Sequence, residues 1–280
     1  MTGANHGIGA AIALALARRG CAVLCTYLRV ADPADPGIPQ AHRDHRARDA
    51  APVIEQIRAG EGARSRWRPT CRTPRRPAPC STRPRRHLGP VDILVNNASG
   101  WLADTFAPAG TDRLVRSLQR VTADTWRQQF SVDAMAAALM IAEFARRRIA
   151  RGAAWGRIIG LTSGGGLGFP EEVSYGAAKA VQVSYTMSAA LELARFGITA
   201  NMVQPPVTDT GWVSDAVRDA VAASLPVPRC QPCRGRRSGR LPGLGRRGPH
   251  HRQRDHASLT GFPAGMRRRG GKLRHAWLLL

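Results

Sequence analysis

The chain has 280 residues, a formal net charge of +23 and six cysteines, and its length favours one large α/β domain. The charge alone would favour a nucleic-acid-binding protein, but it is concentrated in two segments. Residues 63–87 hold nine arginines and no acidic residue, and residues 228–280 hold thirteen arginines, one lysine and one acidic residue, Asp255. The rest of the chain holds 19 basic and 18 acidic residues, which excludes a uniformly basic domain.

The cysteines do not form the pattern of a disulfide-bonded secreted domain. Cys21 and Cys25 lie in an apolar run, which indicates core positions. Cys230-x-x-Cys233, with His250, His251 and His256 downstream, leaves a zinc site open as a minor alternative, and we expect no metal. No signal peptide and no apolar run of about 18 residues is visible, so we expect a cytoplasmic protein without a membrane partner.

Apolar runs and turn residues divide the chain into alternating strands and helices. In chain order we predict a glycine-rich turn at 1–9, a helix at 10–19, a strand at 21–27, a polar loop at 28–48, a helix at 49–60, a strand at 91–95, a helix at 123–150, a strand at 156–161, a helix at 172–196 and a strand at 198–203. This alternation predicts a parallel sheet covered by helices on both faces. Because only Met1 precedes the glycine turn, we expect the strand that normally leads into such a turn to be missing.

Ligands of parallel sheets bind beyond the carboxyl ends of the strands. Polar motifs follow three of the predicted strands at that end: Asn96-Asn97-Ala98, Thr162-Ser163 and Gln204-Pro205-Pro206-Val207-Thr208. In the last predicted helix, Tyr175 and Lys179 are four residues apart and share one face. A neighbouring ammonium lowers the pKa of a phenol, so this pair is suited to proton transfer. A half-buried ring beside a solvated charge has the same spacing, so the spacing alone does not distinguish a catalytic pair from a structural one.

Taken together, these motifs resemble those of the short-chain dehydrogenase/reductase family over residues 1–62 and 88–227. The matching residues are Thr2-Gly3-x-x-x-Gly7-Ile8-Gly9, Asn96-Asn97-Ala98, Ser163, Tyr175-x-x-x-Lys179, Pro205 and Thr208. The resemblance implies an α/β, doubly wound Rossmann fold and an NAD(P)-dependent oxidoreductase that acts on a carbonyl or alcohol substrate. It further implies a homo-oligomer with no specific nucleic-acid partner.

The resemblance also implies a role for each matching residue. Tyr175 would exchange a proton with the substrate oxygen, while Lys179 would lower the pKa of Tyr175 and hold the nicotinamide ribose. Ser163 would hydrogen-bond the substrate oxygen. Asp133 stands where the family usually has a proton-relay asparagine, and a solvated helix residue is the alternative interpretation there. The implied cofactor-binding residues are Gly3, Asn5, His6, Gly7, Ile8, Gly9, Tyr27, Arg29, Asn97, Ala98, Tyr175, Lys179, Pro205 and Thr208.

Cofactor preference depends on the end of the strand predicted at 21–27. Enzymes of this fold that prefer NAD place an acid there, to bond the ribose 2′-hydroxyl. This chain has no acid at that end but has Arg29, and His6 lies where the family often has a basic residue facing a 2′-phosphate. We therefore expect NADP, with NAD as the alternative. Ser99 and Pro206 replace glycines of the family's Asn-Asn-Ala-Gly and Pro-Gly motifs.

The two arginine-rich segments, 64–87 and 228–280, fall where the family has strands and helices, yet they carry little apolar periodicity. Arg, Pro and Gly codons are abundant when GC-rich DNA is translated out of frame. Re-reading the codons that residues 66–86 and 229–257 allow, in a shifted frame, permits strand-like and helix-like sequences. We therefore hypothesise that both segments are translated out of frame. Residues 1–227 would then be the dinucleotide-binding and catalytic domain, and 228–280 a disordered tail.

Two other functions stay open from the sequence alone. The chain could be an inactive relative that binds the cofactor without turnover, although an intact Ser163, Tyr175 and Lys179 argue against it. It could also bind nucleic acid through its arginine-rich tail, but the two basic segments contain few aromatic residues for stacking on bases. The aromatic residues on loops near the expected site favour a partly apolar substrate: Trp101, Phe106, Phe169 and Trp212.

Overall fold

The structure, a computed structural model, describes residues 1–60, 89–164 and 168–224. The described residues all belong to one compact unit. The two segments that we assign to a shifted reading frame, 64–87 and 228–280, lie outside the described residues.

Helices and strands alternate along the described chain. Its helices are α1 (Gly7–Arg18), α2 (Gln40–Ala47), α3 (Ala51–Ala59), α4 (Ala123–Phe130), α5 (Ala137–Ala150), α6 (Val173–Leu193) and α7 (Asp215–Ser224). Its strands are β1 (Ile93–Asn96), β2 (Asp104–Thr105), β3 (Gln119–Arg120), β4 (Gly156–Leu161) and β5 (Ile198–Val203). A π-helical segment, Ser131–Ala136, joins α4 to α5, and a 3-10 turn, Ala194–Phe196, follows α6.

The main sheet is parallel, with the strand order β1–β4–β5. The first residues of the chain continue it beyond β1, because the backbone N–H of Thr2 donates to the carbonyl of Val95 at 3.0 Å. Thr2 in turn forms a single parallel bridge with Thr26. The strand predicted at 21–27 is therefore reduced to one bridge.

Alternate residues of the strands face opposite sides of the sheet, as the two-residue period of a strand requires. One side packs against α5 and α6 in a cluster that includes Leu94, Ile158, Ile198, Phe144 and Leu193. The other side packs against α1 in a cluster of Ile12, Val95 and Leu161. Helices thus cover both faces of a parallel sheet, which confirms the predicted doubly wound α/β fold.

Helix α2 corrects the prediction of an irregular loop at 28–48. None of its residues is buried, so it has no apolar stripe that sequence analysis would detect. Helix α3 matches the helix predicted at 49–60, and α4 and α5 match the one predicted at 123–150 except for the π-helical segment between them. Among the described helices, none combines the length and the apolar composition that crossing a membrane requires.

Candidate active site

The carboxyl ends of the three main strands meet at one edge of the sheet, as they must in a parallel arrangement. Asn97 follows β1, Ser163 lies two residues beyond β4, and Pro205 lies two residues beyond β5. The glycine turn reaches the same edge because Thr2 pairs with the end of β1. The structure therefore brings the predicted motifs to one place.

Hydrogen bonds join the glycine turn to the end of β1, and each of the two segments accepts bonds or donates them through its backbone or side chains. The side-chain nitrogen of Asn97 donates to the carbonyl oxygens of Thr2 at 3.1 Å and Gly3 at 3.0 Å. The Thr2 hydroxyl accepts from the backbone N–H groups of Asn97 at 2.9 Å and Ala98 at 3.0 Å. A Cβ atom at Gly9 would lie 1.9 Å from the carbonyl oxygen of Gly3, so only glycine permits this approach. Such a turn at the start of a helix is a fitting cradle for a phosphate group.

Three histidines lie together beside this turn. The ring of His6 meets the ring of His42 edge-on with centroids 6.1 Å apart, and it stacks on the ring of His45 at 6.5 Å. Burial, reinforced by neighbouring positive charges, lowers the pKa of His6 and of His42 to about 4. His6 is therefore a neutral donor and acceptor at pH 7, not a fixed cation. Within the described ranges, no group of three or more His, Cys, Asp or Glu side chains has an arrangement that would hold a metal ion.

Two other predicted cofactor residues contact the segment around α2 instead of the glycine turn. The side chain of Asn5 donates to the carbonyl of Arg48 at 3.0 Å. The exposed Arg29 donates from Nε to the carbonyl of Ala47 at 2.9 Å. The remaining predicted residues of this end are half-buried against apolar clusters: Ile8 and Tyr27.

The loop after β5 brings Thr210, rather than the predicted Thr208, against the glycine turn. The hydroxyl of Thr208 donates to the carbonyl of Pro206 at 2.8 Å. A Cβ atom at Gly7 would lie 3.0 Å from Cβ of Thr210. The carbonyl of Thr210 lies 3.3 Å from Nδ1 of His45. Thr210 is not among the predicted site residues, although it stands only two residues beyond Thr208.

Tyr175 lies in the first turn of α6, and the start of that helix is held from outside. The fully buried Asp104 accepts the backbone N–H of Ser174 at 2.9 Å. Gly176 leaves room for Phe169, because a Cβ atom there would lie 2.3 Å from Cδ2 of the phenylalanine ring. Phe169 meets the ring of Tyr175 edge-on, with centroids 5.7 Å apart. Tyr175 is thus positioned by a capped helix and by an aromatic contact.

The ammonium of Lys179 is surrounded by three oxygen atoms, as many as it has N–H groups. Nζ donates to the carbonyl of Leu161 at 2.9 Å and to Oε1 of Gln182 at 3.2 Å. It also lies 2.8 Å from Oδ1 of Asp133, in an ion-pair contact that is not aligned as a hydrogen bond. The same atom is 5.7 Å from the centre of the Tyr175 ring. Lys179 and Asp133 are both buried, so this is an internal ion pair.

Asp133 lies in the π-helical segment and is surrounded by hydrogen-bond donors. Its Oδ2 accepts from the backbone of Gly100 at 2.8 Å, from the hydroxyl of Ser99 at 3.2 Å and from Nε2 of Gln129 at 2.6 Å. The residue has no exposed surface, so the interpretation of Asp133 as a solvated helix residue is wrong. Because every neighbour donates, the position suits an ionised carboxylate, which only accepts.

Burial raises the pKa of Tyr175 to about 12, a hydrogen bond with Ser163 lowers it in part, and the negative charges of Asp133 and Glu172 raise it further. This direction is opposite to the expected effect of Lys179. Burial is the largest cause, and the ammonium that was expected to lower the pKa is paired with Asp133 at 2.8 Å. Tyr175 is therefore a neutral phenol at pH 7 in this structure.

A second buried cation, Arg116, lies beside the start of α6. Its Nε is 2.5 Å from Oδ2 of Asp112, and a terminal nitrogen is 2.8 Å from Oε1 of Glu172, the residue that precedes α6. Its guanidinium lies 5.2 Å from the centre of the Trp101 ring. A Cβ atom at Gly37 would lie 2.4 Å from the backbone nitrogen of Arg116. Arg116 therefore connects the segment 28–48, the loop after β1 and the helix of Tyr175.

Similarity to known proteins agrees with this arrangement. The family model described as short chain dehydrogenase matches residues 44–220. The chain belongs to the short-chain dehydrogenase family. It is an oxidoreductase of that family, whose members use NAD or NADP. Neither alternative function, nucleic-acid binding or cofactor binding without turnover, gains support from these similarities.

Individual relatives of this short-chain dehydrogenase are named for related activities. The chain is 35% identical over 143 residues to an uncharacterized oxidoreductase of Bacillus subtilis, a match that spans 51% of this chain and 52% of that one. It is 33% identical over 234 residues to cis-4-hydroxycyclohexanecarboxylate dehydrogenase of Sinomonas cyclohexanicum, spanning 82% and 81%. The solved acetoin dehydrogenase from Enterobacter cloacae is 28% identical, with a TM-score of 0.55 over 75% of this chain and 72% of that one.

Several residues of this short-chain dehydrogenase site escaped the sequence analysis. Gln182 is three residues from Lys179, so its helical spacing was a usable signal. Gln129 is four residues from Asp133 and was detectable in the same way. The contacts of Arg116 with Glu172 and of His42 with His6 had no such signal, because these partners come from distant parts of the chain.

Proposed function

We propose that the chain transfers a hydride between a nicotinamide cofactor and the carbon of a carbonyl or alcohol substrate, with Tyr175 exchanging the proton of the substrate oxygen. The observation that supports this most is the position of the Tyr175 phenol. Ser163, two residues beyond β4, lowers the pKa of this phenol in part, and Lys179 of the same helix donates to the carbonyl of Leu161 at the end of β4. When bound, the cofactor supplies or accepts the hydride.

The side chains divide the remaining work. Ser163 donates a hydrogen bond to the substrate oxygen and orients it. In the direction of reduction, the phenol O–H of Tyr175 breaks, its proton goes to the oxygen that receives electrons, and the phenolate regains a proton from solvent. In the direction of oxidation, the phenolate takes the hydroxyl proton. Lys179 would hold the cofactor ribose by exchanging one of its three present oxygen contacts for a ribose hydroxyl.

For the cofactor we propose NADP, with NAD as the alternative. The segment that follows the bridge at Thr26 offers Tyr27 and Arg29 but no acid for a ribose 2′-hydroxyl. For the substrate we propose a ketone or secondary alcohol with an apolar part, because Phe169 and Trp101 lie near Tyr175 and its helix start. The relatives named for acetoin and for cis-4-hydroxycyclohexanecarboxylate support this class. A cytoplasmic homo-oligomer remains our prediction.

The test is turnover of reduced cofactor by the purified full chain with a panel of ketones. We expect NADPH to be consumed faster than NADH, and Tyr175→Phe to lose at least about 100-fold in rate. Tyr185→Phe is the matched control, since Tyr185 is an exposed residue of the same helix. Unchanged turnover in Tyr175→Phe would show that another group moves the proton.

A further inference from the structure

Both members of the ion pair between Asp133 and Lys179 are surrounded by polar partners. The ammonium has three oxygens around it, and the carboxylate has three donors on Oδ2 and the ammonium on Oδ1. An asparagine in this place would turn its amide N–H₂ towards either the ammonium or the donors at Oδ2. The pocket is therefore built for a carboxylate and not for a proton-relaying amide.

We infer that Asp133, as the buried partner of Lys179, compensates the charge of the ammonium, keeps Tyr175 in its phenol form and sets the site to give a proton to a substrate oxygen, the direction of carbonyl reduction. This inference rests on the proposed role of Tyr175 as the group that exchanges the proton. Asp133 acts through its neighbours and is a positioning residue.

The other charged groups around Tyr175 act in the same direction. Acidic groups outnumber basic ones near the start of α6 and beside the ion pair: Asp104, Asp112, Asp133 and Glu172 against Lys179 and Arg116. Two of these acids, Asp104 and Asp133, have no exposed surface. A phenolate at Tyr175 would add a further negative charge to a region where the two cations are already paired. Desolvation and like charges both disfavour that form.

The two reaction directions should therefore depend on pH differently. Reduction starts from the phenol, so its rate is expected to be constant from neutral pH to about pH 10. Oxidation starts from the phenolate, which at pH 7 amounts to on the order of one molecule in 100,000 when the pKa is about 12. Its rate is expected to rise about tenfold for each pH unit over the same range.

The variant Asp133→Asn removes the negative charge and releases one contact of Lys179. The charge of Asp133 raises the pKa of Tyr175, and a nearby charge typically shifts the pKa of an acid by about one unit or more. We expect the pKa of Tyr175 to fall by about one unit in this variant, so that oxidation at pH 8 accelerates about tenfold. Asp124→Asn is the matched control, because Asp124 is an exposed carboxylate on α4 with the same charge change.

The decisive measurement is the ultraviolet absorbance of tyrosinate after a rapid jump to alkaline pH, with no cofactor present. The difference between the wild type and Tyr175→Phe isolates Tyr175, and it is expected to titrate about two pH units above an ordinary tyrosine. In Asp133→Asn and in Asp133→Ala, the midpoint of the Tyr175 titration is expected to lie at least about one pH unit lower than in the wild type. An ordinary value in the wild type overturns the inference even if both variants fail to fold.

An unchanged titration in folded Asp133→Asn overturns the inference as well. The proposed function fails separately, because it predicts loss of turnover in Tyr175→Phe and says nothing about the tyrosinate absorbance. If Tyr175→Phe keeps its turnover while the titration of Tyr175 depends on Asp133, the ion pair is real but the catalytic role of Tyr175 is wrong.

Discussion

The side-chain nitrogen of Asn97 lies 3.0 Å from the carbonyl oxygen of Gly3, a contact that joins the end of β1 to the glycine turn. Asn97→Ala removes this bond and the one to Thr2, so we expect a loss of about 1–3 kcal/mol in the free energy of unfolding. Cofactor affinity should fall with it, because the phosphate-binding turn is no longer held in place. Denaturant unfolding and titration of nicotinamide fluorescence measure the two effects.

The matched control for this prediction is Asn201→Ala, since Asn201 is an exposed residue of β5. It should change stability by less than about 0.5 kcal/mol. If both variants lose the same stability and only stability, the contact between Asn97 and Gly3 does not organise the turn.

Gly176→Ala should displace Phe169 from Tyr175. The new methyl group would sit 2.3 Å from Cδ2 of Phe169, closer than non-bonded carbon atoms approach each other. Overpacking of this kind costs about 1–3 kcal/mol, more than the gain of about 1 kcal/mol that alanine brings to a helix. We expect a slower enzyme with a disturbed Tyr175.

The double variant Gly176→Ala/Phe169→Ala separates the clash from other effects of the methyl group. Removing the ring removes the clash, so the added cost of Gly176→Ala should disappear in the Phe169→Ala background. Equal costs of Gly176→Ala in both backgrounds, measured by unfolding and by turnover, would show that Phe169 does not fill this space.

The histidines beside the glycine turn predict a loss of stability in acid. In the unfolded chain their imidazoles bind protons near pH 6.5, whereas burial lowers the pKa of His6 and His42 to about 4 in the folded chain. Stability from these groups is therefore complete above about pH 6.5 and falls as the pH drops from there towards 4. Unfolding by urea between pH 7.5 and 4.5 measures this slope. The double variant His6→Asn/His42→Asn should show a shallower slope, and equal slopes would contradict the prediction.

Arg116→Met should destabilise the chain strongly. It leaves Asp112, whose side chain has no exposed surface, without its cation, and breaking a buried ion pair in this way costs about 3–5 kcal/mol. Arg127→Met is the comparison, because the pair of Arg127 and Asp124 is exposed and such pairs contribute about 0–1 kcal/mol. The midpoints of urea unfolding give both values. Similar losses in the two variants would rule out a structural role for Arg116.

The gene itself tests the hypothesis of a shifted reading frame. We expect its nucleotide sequence to contain open, shifted frames across the codons of residues 66–86 and 229–257. Stop codons there, or shifted sequences without apolar periodicity, would refute the hypothesis. A chain with both segments restored is expected to be more stable and more active than the present chain, because the family has strands and helices in those places.

The elements that the sequence predicts correctly are those with a local signal. The strands β1, β4 and β5 are apolar runs of four to six residues, and each was found within two residues of its observed bounds. In helix α6 the local signal is the four-residue spacing of Tyr175 and Lys179. Helix α2 escaped because its residues are polar on all sides and it packs by contacts between distant residues, such as His42 with His6.

The chemistry of the site depended on pairings that no local pattern contains. Lys179 was expected to lower the pKa of Tyr175, but the partner that compensates its charge, Asp133, is 46 residues away in the sequence. The departure from asparagine at this position was visible, whereas its consequence required the burial and the donors around the carboxylate.

The π-helical segment Ser131–Ala136 joins two helices that contact different parts of the molecule. A π turn holds one residue more than an α turn, so it rotates everything after it by roughly 100° relative to an uninterrupted helix. Within the segment Asp133 contacts Lys179, and upstream of it Gln129 contacts the loop after β1. Downstream, Ile141 and Phe144 lie in the core beneath the sheet. Deleting one residue between 131 and 136 would restore a regular helix. Such a helix could keep either the contacts with Lys179 and the loop after β1 or the contacts with the core, but not both. The length of this segment therefore couples the packing of the core to the charge beside Tyr175.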